Sequence, residues 1–209
     1  MIDTKILRKL QERSNCAVIV AHPDDETLWT GGMLLMYPQV RWTVVSICRK
    51  SDPDRSSKFF KALDCYGATG GMGDLDDGPE QEPLSQKLIK DTIHSLLPRE
   101  IFDLVITHGI WGEYTSHRRH EETAKAVLAL FRNENMYAEQ IWSFSYEDGG
   151  GKYLPRHVRD TDIIIHLSDE IWEKKYEIIT EIYGYGPESF EAKTTPRTEA
   201  FSVFKGGSR

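Results

Sequence analysis

Apolar, β-branched runs alternate with amphipathic segments along this chain, and the alternation constrains its fold more than any other feature. The strand-like runs are 16–20, 42–48, 103–107, 140–145, 162–167 and 200–204. The helix-like segments are 27–36, 55–66, 84–97, 118–131 and a segment from 168 or 169 to about 183, with a loop predicted at 70–83. Parallel strands need crossover helices, so the predicted fold class is α/β, a Rossmann-like three-layer α/β/α architecture with a mostly parallel sheet.

Size, charge and cysteine content limit the classes of protein to which this chain can belong. A chain of 209 residues predicts a single domain over 1–209. The net charge of −7 argues against a nucleic-acid partner, and no apolar run approaches the length of a membrane span. Three widely spaced cysteines and an N-terminus unlike a signal peptide favour a reducing cytoplasm. The oligomeric state stays open, a homo-oligomer included.

The run Ala21-His22-Pro23-Asp24-Asp25-Glu26 carries the densest chemistry and follows directly on the first strand. Sites in open α/β sheets lie outside the carboxyl ends of the strands. An imidazole and a carboxylate can hold a divalent metal, and a second carboxylate can act as a base. Each part also has a structural interpretation, since His22 could satisfy a carbonyl and the two aspartates could form a turn and a helix cap.

A second pair of histidines, His117 and His120, stands at the start of a predicted helix. The helical spacing places His120 on the face that carries the apolar residues of this segment, with His117 near the same side. An exposed helix cap is the structural alternative. His94, His108, His157 and His166 receive structural interpretations, with His108 as the reserve ligand because it ends a strand.

These two motifs, in this order and context, resemble the PIG-L/LmbE-like family of zinc-dependent N-deacetylases. Weaker agreement runs from about residue 14 to the end and includes Arg55, the 73–78 loop with Asp77, and Glu199-Ala200-Phe201. The resemblance implies a hydrolase, an N-acetylglucosaminyl deacetylase-like amidohydrolase, that removes an N-acetyl group from an amino sugar or its conjugate. The implied partner is a small N-acetylated sugar.

The resemblance also implies residue roles. His22, Asp25 and His120 would bind Zn²⁺, and the sequence does not decide between zinc and Fe²⁺. Asp24 would be the catalytic base, and His117 would stabilise the oxyanion or donate a proton to the leaving amine. Arg55 and Asp77 match, less closely, positions that hold the sugar.

One departure from the family pattern concerns the second motif, which reads Ser116-His117-Arg118-Arg119-His120. Two arginines replace the proline and aspartate that are common there. If they face the site, they favour an anionic substrate; solvent-facing helix residues are the alternative.

Two other functions remain open at this point. Hydratases occur in the same fold family, so water addition to an unsaturated acid on the same metal is one alternative. A non-enzymatic α/β ligand-binding domain is the other. A dinucleotide site is disfavoured, because HPDDE stands where a Gly-rich phosphate loop would be expected.

Overall fold

Seven strands form the central sheet in the computed structural model, which describes residues 4–80, 82–114, 117–133 and 136–205. In sheet order the strands are β3 (Thr69–Leu75), β2 (Arg41–Cys48), β1 (Asn15–Val20), β4 (Phe102–Thr107), β5 (Ala138–Phe144), β9 (Thr198–Lys205) and β8 (Ile163–His166). The first five are mutually parallel, and β9 runs antiparallel to both of its neighbours. A short hairpin, β6 (Tyr146–Glu147) and β7 (Arg156–His157), stands apart from this sheet.

Helices cover both faces of the sheet. They are α1 (Thr4–Gln11), α2 (Asp25–Met36), α3 (Pro53–Tyr66), α4 (Gln86–Leu96), α5 (Arg118–Arg132), α6 (Asp169–Glu177) and α7 (Phe190–Thr194), with a π-helical turn, Ile178–Ile182, extending α6. One buried apolar cluster joins the sheet to α2, α3 and the α6 extension, and a second joins it to α4 and α5. The predicted three-layer α/β fold with a mostly parallel sheet is therefore confirmed. No helix among the described residues is long and apolar enough to cross a membrane.

The predicted loop at 70–83 is wrong in its first half, because Thr69–Leu75 forms the edge strand β3. Its glycines conceal the strand from pattern analysis. A Cβ added to Gly70 would lie 1.8 Å from the carbonyl oxygen of Val44, and one added to Gly73 would lie 2.6 Å from that of Ile47. Glycine is therefore needed where β3 approaches the backbone of β2, and an apolar alternation cannot develop there.

The order of the strands creates a crevice between β1 and β4. The chain passes from β1 outward to β2 and β3, and then returns to β4 on the opposite side of β1. Helices that follow β1 and β4 leave on opposite faces, so the carboxyl ends of these two strands frame an opening. His22 directly follows β1, and His117 stands at the start of α5, the helix that follows β4, which places both motifs at this opening.

Candidate active site

Three side chains at the crevice present their donor atoms to one another in a nearly equilateral triangle. His22 Nδ1 lies 3.2 Å from Asp25 Oδ2 and 3.2 Å from His120 Nε2. The third side, from His120 Nε2 to Asp25 Oδ2, measures 3.3 Å. Ligand atoms of a tetrahedral zinc site with bonds of about 2.0–2.1 Å stand about 3.3 Å apart. The predicted ligand set therefore comes together with the spacing that such a cation requires.

Two carboxylates hold the imidazoles from behind. His120 Nδ1 lies 2.6 Å from Glu113 Oε2, and His22 Nε2 lies 3.0 Å from Asp77 Oδ1. Each carboxylate accepts the ring N–H and leaves the other ring nitrogen facing the triangle. Arg49 Nε donates to the second oxygen of Asp77 at 2.9 Å. This is the carboxylate–histidine arrangement that fixes the tautomer and orientation of metal-binding imidazoles.

Buried carboxylates raise the pKa values of the two imidazoles in the triangle. Burial opposes protonation of His120, but the charges of Asp25 and Glu113 outweigh it and raise the pKa of His120 to about 10. Burial likewise opposes protonation of His22, and the hydrogen bonds that its ring donates to Asp25 and Asp77 raise its pKa. A bound divalent cation would replace the protons on the two triangle nitrogens with its own charge. The donor set thus fits a divalent metal.

His108 is not available as a ligand, although it lies within reach of Asp25 and His120. The backbone N–H of Ala21 donates to His108 Nε2 at 2.9 Å, and His108 Nδ1 lies 3.0 Å from Glu113 Oε2. Both ring nitrogens are therefore engaged. His108 thus ties the end of β1 to the loop after β4.

His117 stacks on His120, with ring centroids 4.1 Å apart, and borders the cavity. Its Nδ1 is buried and has no hydrogen-bond partner among the described residues. Burial, together with the charges of His120 and His22, lowers the pKa of His117 to about 3. With Nδ1 unpartnered and the ring neutral, His117 is able to bind a substrate atom or to act as a fourth ligand of a metal held in the triangle.

Asp24 sits at the turn between β1 and α2 with a backbone φ of 120°. A non-glycine residue in this region is strained, by about 1–3 kcal/mol. Its side chain does not cap the helix. Instead, one carboxylate oxygen accepts a hydrogen bond from the hydroxyl of Tyr185 and lies 3.3 Å from Arg55 Nη2. Burial and the charge of Asp25 raise the pKa of Asp24 to about 7 against the opposing effects of Arg55 and Tyr185.

A cavity of about 360 Å³ opens onto these groups. Its lining includes His22, Asp24, Asp25, Arg49, Arg55, Asp77, Tyr114, His117, Phe190 and Glu191. Charged groups of both signs and two aromatic rings suit a small polar molecule with an apolar face. Arg55 and Asp77, which the resemblance assigns to substrate, both reach this cavity.

The two arginines of the second motif do not form a pair facing the cavity. Arg119 is fully buried and donates to the backbone oxygens of Asp76 and Glu82 at 2.6 and 2.9 Å. It also bonds the carboxylate of Glu122 at 2.6 Å. Arg119 thus holds the segment after β3 against α5, and Arg118 is exposed on that helix. Ser116 lies outside the described residues.

Several residues that shape this site are not predictable from the sequence. Glu113 stands shortly before the second motif without a sequence signal for its role, and its fully buried carboxylate contacts two histidines. Arg49, Tyr183 and Tyr185 carried no sequence signal at all. The positive φ of Arg49 and the π-helical turn that precedes Tyr183 and Tyr185 are backbone features that no sequence pattern predicts.

The role of Asp77 behind His22 predicts an effect on metal affinity. Asp77→Asn is expected to weaken zinc binding by about 10–100-fold, because the neutral amide is a weaker acceptor for His22 and loses its charge pairing with Arg49. Competition titration against a colorimetric chelator measures the affinity. Asp74→Asn is the matched control, because its carboxylate accepts from Ser51 on the same segment. Equal zinc affinity in both variants would assign the orientation of His22 to another group.

Comparison with known proteins finds the same fold in solved structures. No protein-family model matches the chain. An uncharacterized protein of Acanthamoeba polyphaga mimivirus is 20% identical over 185 residues, 81% of this chain and 78% of that protein. The zinc-inhibited form of teicoplanin deacetylase Orf2 is 14% identical with a TM-score of 0.66, covering 94% of this chain and 100% of the deacetylase chain. GalB, the 4-carboxy-2-hydroxymuconate hydratase of Pseudomonas putida KT2440, is 15% identical with a TM-score of 0.59, covering 94% and 98%.

Proposed function

We propose that this protein is a zinc-dependent amidohydrolase that removes an N-acetyl group from an amino sugar or an amino-sugar conjugate. The observation that carries the proposal is the triangle of His22, Asp25 and His120, with Asp24 and His117 beside it at the cavity. Resemblance of the two motifs to zinc-dependent N-deacetylases supports the same reaction. A structural neighbour that is itself a deacetylase adds support at the level of fold.

The three triangle residues would hold the cation, Zn²⁺ or, with the same donors, Fe²⁺. A divalent metal held there would polarise the amide carbonyl and acidify the attacking water. Asp24 takes the proton from that water as the oxygen bonds to the acetyl carbon. Without metal, burial and the charge of Asp25 raise the pKa of Asp24 to about 7, and a bound cation would lower it from there, so the carboxylate is ionised and able to accept a proton near neutral pH.

His117 acts on the oxyanion that forms at the former carbonyl oxygen. The resemblance leaves two roles for this residue, oxyanion stabilisation and proton donation. A lowered pKa keeps the imidazole neutral, and a neutral ring donates one N–H bond to a developing oxyanion without an additional charge. Because Nδ1 of His117 is buried without a partner among the described residues and the ring borders the cavity, we assign His117 to oxyanion stabilisation. Asp24, which holds the proton of water, can then deliver it to the leaving amine as the C–N bond breaks.

The cavity favours a small substrate. A volume of about 360 Å³ accommodates about one sugar ring with its acetamide group. Tyr114 and Phe190 offer apolar ring faces, and Arg55 offers donors to hydroxyl groups. The three cysteines are free thiols, which fits the reducing cytoplasm in which we place the reaction.

Acetate release tests the proposal directly. The purified protein is stripped with a chelator, reloaded with one equivalent of zinc or Fe²⁺, and incubated with a panel of N-acetylated monosaccharides and their conjugates. We expect about one metal per chain and metal-dependent release of one acetate per amine formed. A parallel assay follows hydration of unsaturated carboxylic acids.

The outcomes separate the three candidate functions. Metal-dependent acetate release supports the amidohydrolase. Hydration without acetate release supports the hydratase, the reaction named for one structural neighbour. Failure to retain metal together with inactivity in both assays would leave the non-enzymatic ligand-binding domain.

A further inference from the structure

Two tyrosines, one on each side of Gly184, reach the turn that carries Asp24. They follow the π-helical extension of α6, and Gly184 has a φ of 79°, which lets the chain reverse direction between them. The hydroxyl of Tyr185 donates to Asp24 Oδ2 and accepts from Arg55 Nη1. The hydroxyl of Tyr183 donates to Glu26 Oε1 at 2.6 Å. One short segment thus contacts both carboxylates that flank Asp25.

Glu26 transmits the second contact to the backbone of Asp24. The N–H of Asp24 donates to Glu26 Oε2 at 3.0 Å. Glu26 is fully buried, and its other oxygen accepts from Thr27 Oγ1 at 2.6 Å as well as from Tyr183. Because Asp24 is strained at φ 120°, its conformation persists only where neighbours hold it. Tyr183 and Glu26 supply such a hold on the main chain.

Tyr185 bridges two groups of opposite charge that the proposed reaction uses. Asp24 and Arg55 lie close enough to pair directly, at 3.3 Å, and the tyrosine hydroxyl engages both. With Oδ2 of Asp24 occupied by these donors, the remaining oxygen is the one left to face the cavity. Tyr185 is half-buried and is not among the residues that line the cavity, so it acts through Asp24 and Arg55.

We propose that Tyr185 is a positioning residue, which fixes the carboxylate of Asp24 and the guanidinium of Arg55 while Tyr183 fixes the backbone of Asp24 through Glu26. The inference rests on the proposed function, in which Asp24 is the base. A misplacement of about 1 Å in a catalytic group can cost about 100-fold in rate. A single hydroxyl at the end of a distant segment therefore influences the chemical step.

The test uses the zinc-loaded protein and the substrate with the highest rate in the acetate-release panel. Tyr185→Phe is expected to lower kcat by about 10–100-fold, with KM changed less than about threefold and zinc content unchanged. In an Asp24→Asn background the same change is expected to lower kcat less than about twofold, because the carboxylate through which Tyr185 acts on the chemical step is already absent. Tyr146→Phe is the matched control, since it removes another tyrosine hydroxyl that bonds the backbone of β9.

Each outcome decides the proposal. A kcat within twofold of wild type in Tyr185→Phe, or an equal loss of kcat with and without the Asp24 carboxylate, overturns it and leaves the amidohydrolase assignment intact. If the wild-type protein releases no acetate, the proposed function fails, and crystal structures of wild type and Tyr185→Phe then decide. Movement of the Asp24 side chain in the variant supports the positioning role, and an unchanged Asp24 and Arg55 overturns it.

Discussion

Asp24→Asn is expected to retain zinc and the fold while losing about 10²–10⁴-fold in kcat for acetate release. Asparagine has the shape of aspartate, and its carbonyl oxygen can still accept from Tyr185. It cannot take the proton of the attacking water. Steady-state acetate release gives kcat, and metal analysis and thermal unfolding establish that the variant is loaded and folded. Asp64→Asn, on the exposed face of α3, is the control and should match wild type.

The same assignment fixes the direction of the pH dependence. A base must be ionised to act, so kcat/KM should rise from acidic pH as Asp24 loses its proton. Without metal the pKa of Asp24 is about 7, and a nearby divalent cation stabilises the carboxylate further, so the midpoint of the rise should lie at or below that value. The residual activity of Asp24→Asn should lack this rise. If Asp24→Asn had the wild-type rate, or the same rise of kcat/KM from acidic pH, another residue would be the base.

Much of the fold follows from local sequence pattern. Buried strands such as β1 and β2 read as continuous β-branched runs because both of their faces are covered. Helix α3 is indicated by Asp52 at its N-cap, Pro53 at its first position and Gly67 at its end. Strand β3 escaped prediction because its close approach to β2 excludes side chains at Gly70 and Gly73. Because the neighbouring strand excludes side chains at these positions, β3 lacks the alternation of apolar residues by which a strand is predicted.

The residues of the site likewise fall into those that the sequence predicts and those that depend on tertiary packing. Residues next to the ends of β1 and β4 are predictable because the strands themselves deliver them to the crevice. Tyr185 lies 161 residues from Asp24, and its role depends on how the α6 extension packs over α2 and α3. Arg119 stood in the motif yet turned away from the cavity, because the segment after β3 offers backbone oxygens that a buried guanidinium needs. Sequence position alone does not tell which partner a side chain finds.

His120→Ala is expected to reduce zinc affinity by more than the 10–100-fold predicted for Asp77→Asn. A residue behind a ligand affects the metal through that ligand, whereas His120 supplies one corner of the donor triangle itself. Its removal leaves His22 and Asp25 to bind the cation with water in the vacated position. Zinc affinity is again measured by competition with a chelator, and acetate release should fall in parallel.

Two companion variants keep this last prediction decisive. His120→Ala also leaves the buried carboxylate of Glu113 with one histidine partner fewer, which destabilises the fold. The double change His120→Ala with Glu113→Gln removes that unpaired charge while still lacking the ligand, so it should remain folded and bind zinc as weakly as the single variant. His94→Ala, on the exposed face of α4, should bind zinc as wild type does. Full zinc occupancy in the folded double variant would show that the cation is held without His120, and the triangle would then not be the metal site.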